Sequence, residues 1–175
     1  MTNWPLPLPM QRALAAAKAA AASGEVPIGA VIVKDGVVIA EAHNAPRKDH
    51  DPTAHAEILA IRRAAQTLGD ERLTGCELWV TLEPCAMCAG AIVNARIGRV
   101  FFGAHDPKAG ACGSLWAIPA DGRLNHRPPI VAGILARPCG RQLTRFFARR
   151  RQERAASREA STRPSPSASR STTVA

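Results

Sequence analysis

Two short segments carry the side chains that could do chemistry together, His55-Ala56-Glu57 and Pro84-Cys85-Ala86-Met87-Cys88. Cys85 and Cys88 are three residues apart on the expected first turn of a helix. Both sulfurs therefore lie on one side, near free backbone N–H groups and the positive end of the helix dipole, which favours thiolate. Thiolates and a neutral imidazole are donors that zinc takes in tetrahedral geometry, and His55 is the third such donor at a matching helix start. Three protein ligands leave a fourth position open. That is the mark of a catalytic zinc, whose bound water has a pKa lowered to roughly 7. A lone Cys-x-x-Cys is more often structural or redox-active, but a closed four-ligand site here would need Cys76, Cys112 or His126. Those three fit no motif, and Cys76, Cys112 and Cys139 are expected to be small buried apolar residues. Glu57 follows His55 by two positions, so on a helix the two side chains diverge by about 200° and do not share one ion. A carboxylate at a helix start still reaches a metal-bound water, and Glu57 is read as the proton shuttle.

These groups need elements to hold them. Met10 to Ala22 is a run of helix formers followed by Gly24. Ile28 to Lys34 and Val37 to Ala42 flank Asp35-Gly36, the signature of a two-residue hairpin turn. A helix is expected from about Pro52 to Leu68, with Asp51 as its N-cap and Gly69 as its stop. Strand Glu77 to Leu82 runs into the cysteine pair and a helix through about Ala95, and Arg99 to Ala104 forms the next strand. After a glycine-containing loop from His105 to Ser114, a last buried strand is expected at Ile130 to Leu135 and a last helix from Gly140 to about Arg154. Residues 155 to 175, rich in Ser, Arg, Thr, Pro and Ala, are expected to be disordered. The chain thus divides into an extension at 1–9, one domain at 10–154 and a tail. A hairpin followed by parallel strands with helical crossovers implies a mixed sheet covered on both faces, an α/β fold.

At 175 residues and 46% hydrophobic, the chain has room for one core and excludes two large domains. Its net charge of +9 is unevenly spread: residues 1–140 hold 14 basic and 12 acidic side chains, and residues 141–175 hold 9 and 2. A basic end points to a polyanionic partner, or else to a solvated arm. Five cysteines and no secretory pattern at the N-terminus argue against a disulfide scaffold and for a reducing compartment. No stretch is apolar enough to span a bilayer.

The His-x-Glu and Pro-Cys-x-x-Cys pair resembles the signature of zinc nucleoside and base deaminases. Within them, residues 10 to 151 are similar to the bacterial tRNA-specific adenosine deaminases. The likeness rests on Glu25-Val-Pro-Ile-Gly-Ala30, Asp51-Pro-Thr-Ala-His-Ala-Glu57, Thr81-Leu-Glu-Pro-Cys-Ala-Met-Cys-Ala-Gly-Ala91, Arg96-Ile-Gly-Arg-Val-Phe-Phe-Gly-Ala104 and Phe146-Phe-Ala-Arg-Arg-Arg151. The glycine-rich loop from Asp106 to Ser114 and the Phe-Phe-basic helix tilt the resemblance to the tRNA enzymes.

The resemblance implies a cytidine-deaminase-like three-layer α/β/α sandwich with a mixed five-stranded sheet, in a cytoplasmic homodimer whose subunits share their sites. It implies one Zn²⁺ per subunit on His55, Cys85 and Cys88, with Glu57 moving protons as water replaces the amino group at C6 of a wobble adenosine in an arginine tRNA anticodon loop. Asn44, Ala56, Asp106, Arg149 and Arg150 become the substrate contacts, with Arg151 beside them. Ala95 stands where the family often has Ser, and the tail after Gln152 has no family counterpart. Two other functions stay open: a free-base or nucleoside deaminase with the same zinc apparatus, and a non-catalytic zinc-stabilised RNA-binding module that would not need Glu57.

Overall fold

A computed structural model describes residues 7–162. The elements run α1 (Leu8–Ala22), β1 (Gly29–Lys34), β2 (Val37–His43), α2 (Ala56–Leu68), β3 (Glu77–Leu82), α3 (Ala86–Asn94), β4 (Arg99–Ala104), a 3₁₀ turn (Ile118–Ala120), β5 (Ile130–Val131) and α4 (Ala136–Thr162). The five strands form one sheet in the order β2-β1-β3-β4-β5, with β1 antiparallel to both neighbours and β3, β4 and β5 mutually parallel. The expected mixed five-stranded α/β sheet is present.

Strand periodicity sorts the core into two layers. Ala30, Ile32, Leu78, Val80, Val100 and Phe102 face α2 and α3, where they meet Ala56, Ala60, Ala64 and Ile92. The alternate residues Val31, Val33 and Trp79 face Met10, Ala13 and Cys139 on α1 and α4. Alanines dominate the buried faces of α1 and α2, so both helices lie close to the sheet. At Gly29 the approach is closest: a Cβ there would lie 2.1 Å from the Ala13 carbonyl oxygen, so only glycine lets α1 rest on β1. The hairpin turn has positive φ at both Asp35 (50°) and Gly36 (76°), as its sequence requires.

Three expectations are corrected. The second helix begins at Ala56, not Pro52, because the Asp51 carboxylate accepts bonds from the Thr53 amide and hydroxyl, both at 2.7 Å, and closes a turn of its own. The last strand is two residues long, and Val131 is exposed, because the chain turns at Gly133 and Leu135, both with positive φ. The terminal helix starts at Ala136 and continues through Thr162, so residues 155 to 162 are helical where disorder was expected. Arg149–Glu153 at i,i+4 and the following Ala155-Ala156 pair carry that helix past the body of the fold. The remainder of the tail, 163–175, and residues 1–6 of the N-terminal extension lie outside the described residues.

Candidate metal centre and nucleotide cleft

The two motifs meet because β2 and β3 point the same way, each ending at the start of a helix. His55 is the N-cap of α2 (φ −72°, ψ 151°) and Cys85 the N-cap of α3 (φ −73°, ψ 175°). Neither side chain caps its own helix, so both are free to face each other. His55 Nδ1 lies 3.6 Å from Cys85 Sγ and 3.6 Å from Cys88 Sγ, and the two sulfurs are 3.7 Å apart. A tetrahedral ion with bonds of about 2.3 Å to sulfur and about 2.05 Å to nitrogen would have edges of about 3.8 Å between sulfurs and about 3.6 Å from sulfur to nitrogen. The donor set fits such an ion, and among the described residues it is the group that could hold a metal. A hydrogen bond with Cys88, reinforced by one with His55, holds the Cys85 thiol down at about 3, while the same contact and burial push Cys88 up.

Glu57, on the first turn of α2, is buried beside this group. Burial pushes its carboxyl up to about 7, against the opposing effects of its own backbone amide and His55. Its Oε2 is one of the buried side-chain oxygens without a hydrogen-bond partner among the described residues. An unsatisfied carboxylate oxygen costs about 1–3 kcal/mol and calls for a partner that arrives with substrate or water.

A cleft of about 730 Å³ opens over His55. Asn44 lines it, 4% exposed, and its Oδ1 accepts the Ala56 amide at 2.9 Å. That bond fixes the Asn44 orientation and uses the Ala56 N–H, and Ala56, expected as a substrate contact, is not among the cleft-lining residues. Asp106 also lines the cleft, its Oδ1 capping the Lys108 and Ala109 amides.

The sequence reading missed what holds this loop in place. Glu83, buried between β3 and Cys85, accepts bonds from the amides of Asp106 (3.0 Å), Cys112 (3.1 Å) and Ser114 (2.9 Å) and from the Ser114 hydroxyl. Burial alone would raise its pKa, but these four donors outweigh it and hold the carboxyl below its usual range. A Cβ at Gly110 would sit 2.5 Å from the same carboxylate. The glycine at 110 is thus a packing requirement around Glu83, while Gly113 is required by its positive φ of 146°. Its sequence signal was a charged residue immediately before the metal-binding turn.

The opposite wall is α4. Gly140, Leu143, Thr144, Phe147 and Arg151, at helical spacing, face the cleft. The three arginines separate: Arg151 lines the cleft, Arg150 lines a neighbouring basic cavity, and Arg149 lines neither, its guanidinium held by Glu153 at 2.7 Å. The sequence marked a last helix with a Phe-Phe-basic end, but not the face of it that walls the cleft. Ala95 lies apart from this cleft, buried at the end of α3, where its carbonyl accepts the Leu73 amide.

With this geometry in view, comparison with known proteins is decisive. Residues 8–136 match the MafB19-like deaminase family. The chain belongs to that family. It is 47% identical over 150 residues to the tRNA-specific adenosine deaminase of Bacillus subtilis (strain 168), spanning 86% of this chain and 93% of the relative. The tRNA-specific adenosine deaminase of Agrobacterium fabrum is also 47% identical, over 81% of this chain and 93% of its own. A solved structure from a study of A-to-I editing by tRNA:A34 deaminases superposes with a TM-score of 0.75 at 47% identity, covering 77% of this chain and 98% of that one. The guanine deaminase of Bacillus subtilis superposes with a TM-score of 0.56 at 45% identity, over 61% and 68% of the two chains. The deaminase is thus placed with the bacterial tRNA-specific adenosine deaminases.

Proposed function

We propose that this deaminase converts adenosine to inosine by hydrolysis at the wobble position of a tRNA anticodon loop, that of an arginine tRNA, with zinc held by His55, Cys85 and Cys88. The observation that carries the reading is the His/Cys/Cys group with the buried Glu57 beside it, whose Oε2 has no hydrogen-bond partner among the described residues, in a chain of the tRNA-specific adenosine deaminase family. Zinc, when bound in such a site, supplies a water activated as a nucleophile at neutral pH. The chain's own residues supply the proton traffic and the orientation. Glu57 takes one proton from the water that adds at C6 of the purine and gives it to the ring nitrogen; it then takes the remaining proton from the new C6 hydroxyl and gives it to the amino group, so that the C6–N bond breaks, ammonia departs and the C6 carbonyl of inosine forms. Asn44, fixed through Oδ1 by the Ala56 amide, directs its NH₂ end at the base. Asp106 and Lys108 on the Glu83-anchored loop face the nucleotide's sugar and phosphate, and Arg150 and Arg151 meet backbone phosphates.

A base stacked inside a helix cannot enter such a cleft, so a splayed loop nucleotide is the fitting substrate. A second copy of the chain fits the α2–α3 face, where Ile61, Met87 and Ala91 line an open surface and Met87 is exposed. Sedimentation should give about 37 kDa, twice the 18.5 kDa chain. A compartment holding tRNA, the cytoplasm, follows from the substrate, and no described helix is long and apolar enough to cross a membrane.

The likeness to a guanine deaminase favours one alternative, a free-base deaminase using the same apparatus. Incubation of the zinc-loaded protein with total tRNA, free guanine, adenosine and cytidine, read by mass, separates them. Inosine in tRNA alone is the expected product, and turnover of free guanine without tRNA product would overturn the reading.

A further inference from the structure

We propose that Arg47, Arg150 and Arg154 form a second anion site, outside the metal cleft, that takes a backbone phosphate of the RNA whose base enters the cleft. The inference rests on the RNA reading above and adds to it a place and a set of residues. A cavity of about 390 Å³ is lined by Arg47, Arg150, Arg151 and Arg154 over Phe146 and Phe147, with no carboxylate among its lining residues. Four guanidinium groups from two distant parts of the chain therefore converge on a partly apolar floor. Arg150 and Arg154 are also i,i+4 neighbours of like charge on α4, an arrangement that destabilises a helix unless an anion lies between them.

The acidic groups nearby are committed elsewhere. Glu25 is 2% exposed and its Oε1 accepts the backbone amides of Arg47 (3.0 Å) and Lys48 (2.8 Å), so it holds the loop and leaves the guanidinium charge uncompensated. Arg47 Nη1 donates to the Gly24 carbonyl at 3.1 Å, which orients the group and leaves its other donors without a partner among the described residues. Glu153 lies 3.6 Å from Arg150, a loose contact, and is shared with Arg149 at 2.7 Å. Arg151 and Arg154 have no ion pair among the described residues. A planar guanidinium fork matches phosphate oxygens two at a time, and here the Arg47 fork is held in advance by the Gly24 carbonyl.

Position names the ligand. The cavity shares Val26, Phe147 and Arg151 with the metal cleft, so a strand whose base is in the cleft meets the basic cavity next. On its other side Lys48 and His50 continue the path from Arg47 and Arg150. A phosphodiester chain presents successive anions along such a path, and a free nucleobase presents none.

The test uses the full zinc-loaded chain and an anticodon stem-loop, comparing the parent, Arg47→Ala/Arg154→Ala, and Arg72→Ala as an exposed arginine away from the cavity. The double variant should raise KM about tenfold at low salt with kcat unchanged. Its log KM against log salt should be shallower by about 1, because a phosphate contact and its released counterions are gone. Arg72→Ala should match the parent. At matched ionic strength, inorganic phosphate should inhibit the parent more than the double variant. Equal KM and salt slope in parent and double variant, or equal inhibition of both by phosphate, overturns the site while the RNA reading stands. A parent that makes no inosine in the stem-loop overturns the RNA reading itself, and the proposed ligand with it.

Discussion

The floor of the cleft and its α4 wall are built on opposite plans. The floor is assembled from two short motifs at helix starts, with donors 3.6–3.7 Å apart, a buried acid beside them and a carboxylate, Glu83, bonded to the neighbouring loop. The wall is one helix that contributes exposed or half-buried side chains at helical spacing, with an exposed ion pair on its outer side. A floor that is rigid and desolvated suits chemistry, where small displacements cost large factors in rate. A wall that is wet and basic suits holding an extended polyanion, where many weak contacts add and salt tunes them. Changes to the floor should therefore act on turnover and metal content, and changes to the wall on KM and its salt dependence.

The largest effect is expected from Cys85→Ala or Cys88→Ala: metal content by mass spectrometry should fall to near zero and activity with it, since two remaining donors cannot hold the ion at the same affinity. Glu57→Gln should keep about one metal per chain and lose turnover by about 10²–10⁴-fold, the range of general acid-base catalysis. Metal loss in Glu57→Gln would make the carboxylate a ligand and erase the division within the floor.

Glu83→Gln sharpens the boundary between the regions, because it touches the loop and not the substrate. Metal content should hold, while kcat/KM falls by about 10–100-fold as Asp106 and Lys108 lose their fixed position. Its stability has a sign as well. The Glu83 pKa is lowered in the fold, so its contribution is present above the unfolded carboxyl value of about 4.3 and is lost as pH falls through the lowered value. The difference in Tm between parent and Glu83→Gln should be largest near neutral pH and shrink in acid. On the wall, Arg151→Ala should raise KM for a stem-loop several-fold with little change in kcat. Arg149→Ala, on the outer side of α4, should give the smallest shift, within about twofold in KM, and only a slight loss of helix stability through the lost pair with Glu153, since exposed pairs contribute little.

The same contrast explains what could be read before the fold was known. His55, Glu57, Cys85 and Cys88 were legible because their chemistry is local: residue type, spacing and a helix start are enough to gather donors. The sheet followed from strand patterning, and the Asp35-Gly36 turn fixed its first hairpin. Glu83 was not legible as an anchor, since its bonds reach residues 23 to 31 positions away, across a loop without regular structure. The helix beyond Arg154 was missed because composition speaks to burial, whereas a helix of Ala, Arg and Glu can continue without any. The separation of Arg149, Arg150 and Arg151 onto different surfaces needs the phase of α4, which three consecutive arginines do not reveal.

The central claim is that the floor acts only on a nucleotide that the wall has taken out of a loop. It is tested most directly by mapping inosine, position by position, in an anticodon stem-loop with adenosine at the wobble position and in the same strand annealed to its full complement. Inosine at the wobble position of the loop, none in the duplex and none from free adenosine is the expected result. Equal product from the duplex or from free adenosine, with the loop adenosine unchanged, would contradict it.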